Sequence, residues 1–280
     1  MHHRIRSSRF ALDHITLVDA TPVELAEIAF ETGYAAINPF LHSMDVLPQM
    51  PNYDLIGDHG LREQFIDRMD QLNLGVDIAY PFTISKRTLV DELTPALDCA
   101  SELKSRLVNV LLYDRNPISR QETFSRFCEQ AHCRNLKVLV EFYPASQVVT
   151  IEDALVLVEY IGDAGVAGIN VDLLHLFRSG GTLEQLAAIP PEYIAYAQLS
   201  DGPMICLPEL QEYEASIERQ LPGEGSLDTI GFLNTLPPDC PVSIEVPRGS
   251  SLDAKMTKSA RARCAMIASQ HILDKTDGSF

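Results

Sequence analysis

The sequence predicts one α/β domain over residues 1–280, folded as a (β/α)8 TIM barrel, and three observations predict it. Short apolar, β-branched runs alternate strictly with amphipathic helical segments, which implies a parallel sheet. Eight such units in 280 residues imply closure of that sheet, and the absence of a glycine-rich nucleotide loop argues against an open doubly wound sheet. The last four strand runs each end in an acid or an amide: KVLVE at Glu141, GINVD at Asp172, IAYAQ at Gln198 and VSIE at Glu245.

Taken in order, FALDHITL at 10–17 reads as the first strand, and TPVELAEIAFETG as a helix with a Thr N-cap, Pro at its first position and a Gly stop. YAAINPFL is the second strand. GLREQFIDRMDQLN is an amphipathic helix with Leu61, Phe65, Ile66 and Met69 on one face, and LGVDIAYPF the third strand. The helical stretch LVDELTPALDCASELK carries Pro95, which kinks or divides it. LVNVLLYD is an unusually apolar fourth strand ending at Asp114 and Arg115, followed by the helix ETFSRFCEQAHCRN. Then come strand KVLVEFY, helix IEDALVLVEYIGDAG, strand GINVDLL, helix TLEQLAAI, strand IAYAQLS, helix LDTIGFLNTL and strand VSIEV, with a closing helix over about 253–271.

With 22 basic and 39 acidic residues, a net charge of −17, the chain lacks the cationic surface a nucleic acid partner needs. Six cysteines without a CxxC pair disfavour a zinc knuckle or disulfide scaffold and read as reduced thiols. No run approaches the roughly 20 apolar residues of a membrane span, and MHHRIRSSRFALDHITL has no long apolar targeting core, so the expected address is the cytoplasm. The expected partner is a small-molecule substrate, with no membrane and with homo-oligomerisation left open.

A carboxylate at the end of a buried strand costs several kcal/mol, on the order of magnitude, unless a cation or donor meets it. Singly, Glu141 has a plainer explanation as a salt bridge and Asp172 as a loop cap. Four such tips on one rim instead read as a metal site of Glu141, Asp172, Gln198 and Glu245, an all-oxygen set suited to one divalent ion, Mn²⁺ before Mg²⁺. His175, three residues past Asp172, reads as a further nitrogen ligand, an acid/base or a histidine bonded under a loop. Arg178 in HLFRSGG, Arg115 and Arg248 fall in predicted rim loops, where a guanidinium holds a carboxylate, phosphate or polyol of the substrate. Their plainer reading is a solvated surface arginine. PGEG at 222–225 reads as a tight turn that orders the rim.

VEFYP, NVDLLHLFRSGG, AQLSDGP, LPGEGSLD and SIEVP, in that order and spacing, resemble the sugar-phosphate isomerase/epimerase family of xylose-isomerase-like barrels over nearly the whole chain. The resemblance implies a (β/α)8 barrel with one divalent metal on the residues matching Glu141, Asp172, Gln198 and Glu245. Many of the isomerases and epimerases have His where this chain has Gln198. Gln there, with QLSDGP and PGEG, is also similar to the 3-dehydroshikimate dehydratase branch, although FYPASQVV lacks the His that many members place after the first Glu. Apurinic endonucleases share the barrel and the DxxH element, but they need further His ligands and a basic face that are missing here.

Two enzymatic readings result. In the first, an isomerase or epimerase acts on a hydroxy-ketone or sugar-like substrate, with Glu141 and Glu245 moving a proton α to the carbonyl. In the second, a dehydratase or other lyase expels a β-hydroxyl from a cyclic hydroxy-ketone with His175 as the acid. A barrel that binds a ligand without catalysis is the third class, and the presence of all four tips argues against it.

Overall fold

The computed structural model describes residues 10–276, so residues 1–9, read above for targeting signals, lie outside the described residues. Strand β1 (Phe10–Asp13) is followed by α1 (Pro22–Thr32), β2 (Ala36–Asn38), α2 (His59–Leu72), β3 (Gly75–Val76) and β4 (Ile78–Ile84). Next come α3 (Thr94–Glu102), β5 (Leu107–Leu112), α4 (Pro117–His132), β6 (Lys137–Glu141), α5 (Ile151–Ile161) and β7 (Ala167–Asp172). Helices α6 (Leu173–Arg178) and α7 (Leu183–Ala188) precede β8 (Ile194–Leu199), and α8 (Gln211–Ser216) and α9 (Thr229–Thr235) precede β9 (Val242–Ile244). Helices α10 (Gly249–Asp253) and α11 (Lys258–Leu273) follow β9.

The strands pair in the order β3-β2-β1-β9-β8-β7-β6-β5-β4, all in parallel. Strands β3 and β4 are one stave interrupted at Asp77, whose N–H donates to Ile37 O while its carbonyl accepts from Leu107 N, both at 3.1 Å. Nine strands therefore form a nearly closed barrel of eight staves with helices between them. The interruption lets one stave face β2 with its first half and β5 with its second, which a tilted closed sheet requires.

Local signals act as expected at α1. Thr21 and Glu24 form a capping box, Pro22 opens the helix, and Gly33 ends it at φ +86°, where an L side chain is strained. Several expectations need correction. The 10–17 run is a strand only to Asp13, because the Asp13 carboxylate accepts from Ile15 N and folds the chain into a 3-10 turn over His14–Leu17. Helix α4 starts at Pro117, earlier than its apolar pattern indicates, since Asn116 caps it with bonds from Ile118 N and Ser119 N. Helices α6 and α8 were not expected at all, α6 starting at Leu173 where the strand GINVDLL was expected to continue. The closing helix divides, α11 starting where Thr257 accepts from Ala260 N. Pro95 does divide its segment, into a 3-10 turn at Val90–Leu93 and α3. Among the described residues no helix is long and apolar enough to cross a membrane, and none of the six cysteines forms a disulfide.

Candidate active site and metal centre

A cavity of about 510 Å³ opens at the C-terminal ends of the strands, within the range of small-molecule sites. Glu141, His175, Gln198 and Glu245 line it, between walls that include Phe40, Tyr80, Phe82, Tyr113 and Tyr143. Parallel register makes Asp172 and Gln198 neighbours across β7 and β8, and Glu245 N donates to Leu199 O at 3.1 Å, which sets Glu245 beside the end of β8. Asp172 is fully buried and caps α6, its Oδ1 accepting from His175 N at 3.0 Å. That cap turns the His175 ring back toward the rim, with Nε2 3.5 Å from Glu141 Oε1 and 4.0 Å from Asp172 Oδ2. Glu141, Asp172 and His175 each present one ligand atom, and these three atoms lie within 4.8 Å of one another.

A divalent ion fits the chemistry of this donor set, because buried carboxylates crowd a site with little positive charge. The cluster brings the His175 imidazole, one of the readings open from the sequence, beside the carboxylates, and a nitrogen donor admits zinc alongside manganese and magnesium. Gln198 Oε1 accepts from Asn170 Nδ2 at 2.6 Å, and its Nε2 donates to Asp13 Oδ2 at 3.4 Å. Asn109 on β5 donates to Glu141 Oε2.

The positive charge is Arg219, which the sequence reading missed. Its Nη1 donates to Asp172 Oδ2 at 2.6 Å and to Ser200 Oγ at 3.3 Å, and lies 3.0 Å from Glu245 Oε2. The contact with Glu245 is an ion pair off the hydrogen-bond angle, so the buried Oε2 accepts no hydrogen bond. Arg219 stands between strand-like bridges, Asp201 with Gln220 and Glu218 with Arg248. Asp201 fixes that strip by accepting from Gly223 N, Gly225 N and Leu227 N of the PGEG loop. A Cβ on Gly225 would lie 2.1 Å from Asp201 Oδ1, so only glycine fits there.

Also unforeseen is Asp13, a wholly buried carboxylate bonded by Tyr80 OH, Asn38 Nδ2 and Gln198 Nε2, with no cation in contact among the described residues. Burial raises its pKa from 3.8 to about 6, against the pull of these donors. Glu245 is likewise raised well above its ordinary value, by burial first; Arg219 opposes the rise and the nearby Asp13 and Asp172 charges add to it. Asp172 moves the other way, because Arg219 and His175 outweigh its burial. The folded chain thus keeps a proton on Asp13 that the unfolded chain releases, and its contribution to stability falls as pH rises from about 4 to about 6; Glu245 acts in the same sense. Asp172 works in the opposite sense, but only below pH 3.8. In chelator, the melting temperature should fall across that window by the equivalent of about 3 kcal/mol for Asp13 alone. Asp13→Asn should flatten the slope, and an unchanged slope in that variant would show that Asp13 is not its source.

A family model described as "Xylose isomerase-like TIM barrel" matches residues 12–269. The chain belongs to the xylose isomerase-like TIM barrel family. This places its fold among barrels most of whose characterised relatives are enzymes. No curated protein matches the sequence. Among solved structures, a xylose isomerase-like TIM barrel/4-hydroxyphenylpyruvate dioxygenase fusion protein is similar at 18% identity and TM-score 0.78, over 96% of this chain and 43% of that one. The chain thus spans less than half of that relative's length. The IOLI protein, whose crystal structure holds a zinc atom, is similar at 17% identity and TM-score 0.75, over 97% and 100% of the two chains. The probable 3-DHS dehydratase AsbF from Bacillus anthracis is similar at 15% identity and TM-score 0.69, over 93% and 98%. At these identities the likeness is one of fold.

In this xylose isomerase-like barrel the three arginines picked from the rim loops do not line the cavity. Arg115 is exposed, and Arg248 pairs with Glu224 at 3.2 Å, which uses the PGEG glutamate as a brace. Arg178 is turned away by a bidentate pair with Glu214 of α8, at 2.6 and 2.7 Å, and also donates to Pro203 O. A deeply buried acid on an unforeseen helix captures it, so its place is that of a clamp on α8, whose Tyr213, Ala215 and Ser216 form part of the cavity wall. Arg178→Ala should leave Glu214 buried without a cation, cost about 3–5 kcal/mol, and speed proteolytic cleavage within 203–217. Unchanged melting and cleavage would refute the clamp.

Proposed function

We propose that the chain is a divalent-metal-dependent isomerase or epimerase that moves a proton at the carbon α to the carbonyl of a small hydroxy-ketone or sugar-like substrate. The observation that carries this reading is that Glu141, at the end of β6, and Glu245, just past β9, both line one cavity beside the Asp172 and His175 cluster. Glu141, Asp172, Gln198 and Glu245, with His175 in reach, are the residues that would hold the ion, and the ion would supply polarisation of the carbonyl. The chain's own part is the proton. One of the two glutamates removes it from one side of the substrate and the other returns one, while Asn109 fixes the Glu141 carboxylate through its second oxygen. Aromatic walls keep water from the exposed carbanion.

A second reading, dehydration of a cyclic hydroxy-ketone, is favoured by one observation. The walls offer aromatic faces rather than the many donors and acceptors that an open-chain polyol needs. In that reaction a glutamate takes the α proton, and the β C–O bond breaks with its electron pair leaving on oxygen. The hydroxyl departs as water with the proton that His175 donates.

Hydroxy-ketones, open-chain and cyclic, should be incubated with protein loaded in turn with Mn²⁺, Mg²⁺ and Zn²⁺ in deuterated water. The expected result is a product of unchanged composition carrying deuterium at the α carbon. Loss of water with a new conjugated ultraviolet band would select the second reading. No exchange with any substrate and any metal would overturn both.

A further inference from the structure

We propose that Arg219 competes with the divalent ion for Asp172 and Glu245, an inference that rests on the metal-dependent reading above. A single nitrogen, Nη1, is 2.6 Å from Asp172 Oδ2 and 3.0 Å from Glu245 Oε2, and so stands between two of the carboxylates that would hold the ion. Among the described residues Arg219 is the only lysine or arginine lining the cavity, against the buried acids Asp13, Glu141, Asp172 and Glu245. The guanidinium offsets the repulsion among the ionised members of this set.

Its fit to the pair is uneven, and that unevenness is what points to exchange. Asp172 receives a short hydrogen bond, whereas Glu245 Oε2 is buried and receives none. A divalent ion would satisfy that oxygen with a stronger charge. The backbone N–H of Arg219 donates to Pro247 O at 2.8 Å and its guanidinium Nε to Ala215 O at 2.9 Å, and the residue lines the cavity, so that leaving the carboxylates means swinging Nη1 about the Nε bond. Metal entry then displaces one positive charge by another of higher valence, and the affinity measured for the metal is reduced by the cost of that displacement.

Isothermal titration with Mn²⁺ and thermal melting, in chelator and at saturating Mn²⁺, test this on the wild type and on Arg219→Gln. The variant should bind Mn²⁺ at least about tenfold more tightly, since a cation beside the ion is removed. In chelator it should melt about 5–10 °C below the wild type, with the gap closing at saturating Mn²⁺. A variant that accumulates folded only when Mn²⁺ is supplied reports the same exchange. Equal or weaker Mn²⁺ affinity in the variant, with the wild type binding normally, would overturn competition and leave the metal reading standing. Absence of binding in both proteins would sink both. A measurement that does not depend on the variant is a pair of wild-type crystal structures without and with Mn²⁺. Arg219 should leave at least one of the two carboxylates on loading, and a guanidinium still within 3.0 Å of both beside a bound ion would refute the exchange.

Discussion

Asp172→Asn is expected to abolish useful metal binding and to lower the melting temperature by about 6–12 °C, because it removes the one charge on which three parts of the site converge. The carboxylate is fully buried, holds Arg219 at 2.6 Å through Oδ2, caps α6 through Oδ1, and lies 4.0 Å from the His175 ring. Asparagine keeps the volume and the cap, so the loss isolates charge. Arg219 is then left with Glu245 alone, a partner whose own pKa is raised by burial. Breaking a buried pair from one side typically costs about 3–5 kcal/mol, and the remaining partner puts the expected loss near the lower figure. Affinity for Mn²⁺ or Zn²⁺ should fall by more than about 100-fold, beyond what loss of a residue that only orients a ligand produces. Calorimetric titration and thermal melting check both effects. Wild-type melting in this variant would mean that Asp172 and Arg219 do not form a stabilising pair.

Glu141→Gln should lower turnover by about 10²–10⁴ while leaving the fold intact. Glu141 faces the cavity at the end of β6, its Oε2 taken by Asn109, its Oε1 3.5 Å from His175 Nε2 and so the oxygen free to meet a substrate proton. An amide preserves size and one acceptor, but it cannot carry the proton. The measurement pairs turnover and α-deuterium exchange with metal content, since a loss of metal would lower the rate for another reason. Wild-type exchange with full metal content in the variant would assign the proton to Glu245 alone.

The barrel and the acidic rim were legible in the sequence because both rest on local patterns. A strand buried on both faces must be apolar along its length, so KVLVE, GINVD and VSIE announce where each stave ends and which polar group stands there. Helix caps are equally local, and Thr21, Pro22 and Gly33 act within one helix turn of where the sequence puts them. Strand tips that periodicity placed on one rim do line one cavity, as Glu141, Gln198 and Glu245 show.

Only the tertiary structure decided which charges meet. Arg219 lies in an irregular strip whose position depends on Asp201 gripping the PGEG loop and on bridges to two different strand ends, so no periodicity in IERQLPGEG marks it as the cation of the site. Asp13 resembled an ordinary strand residue until Tyr80, Asn38 and Gln198, distant in sequence, closed around it. Arg178 has the loop position of a substrate-binding arginine, yet Glu214 on a helix with no strong sequence signal takes both its arms. Pattern fixes how far a strand runs and which face is apolar. Charge pairing depends on distances of a few ångströms between residues far apart in the chain, and those distances exist only once the barrel has closed.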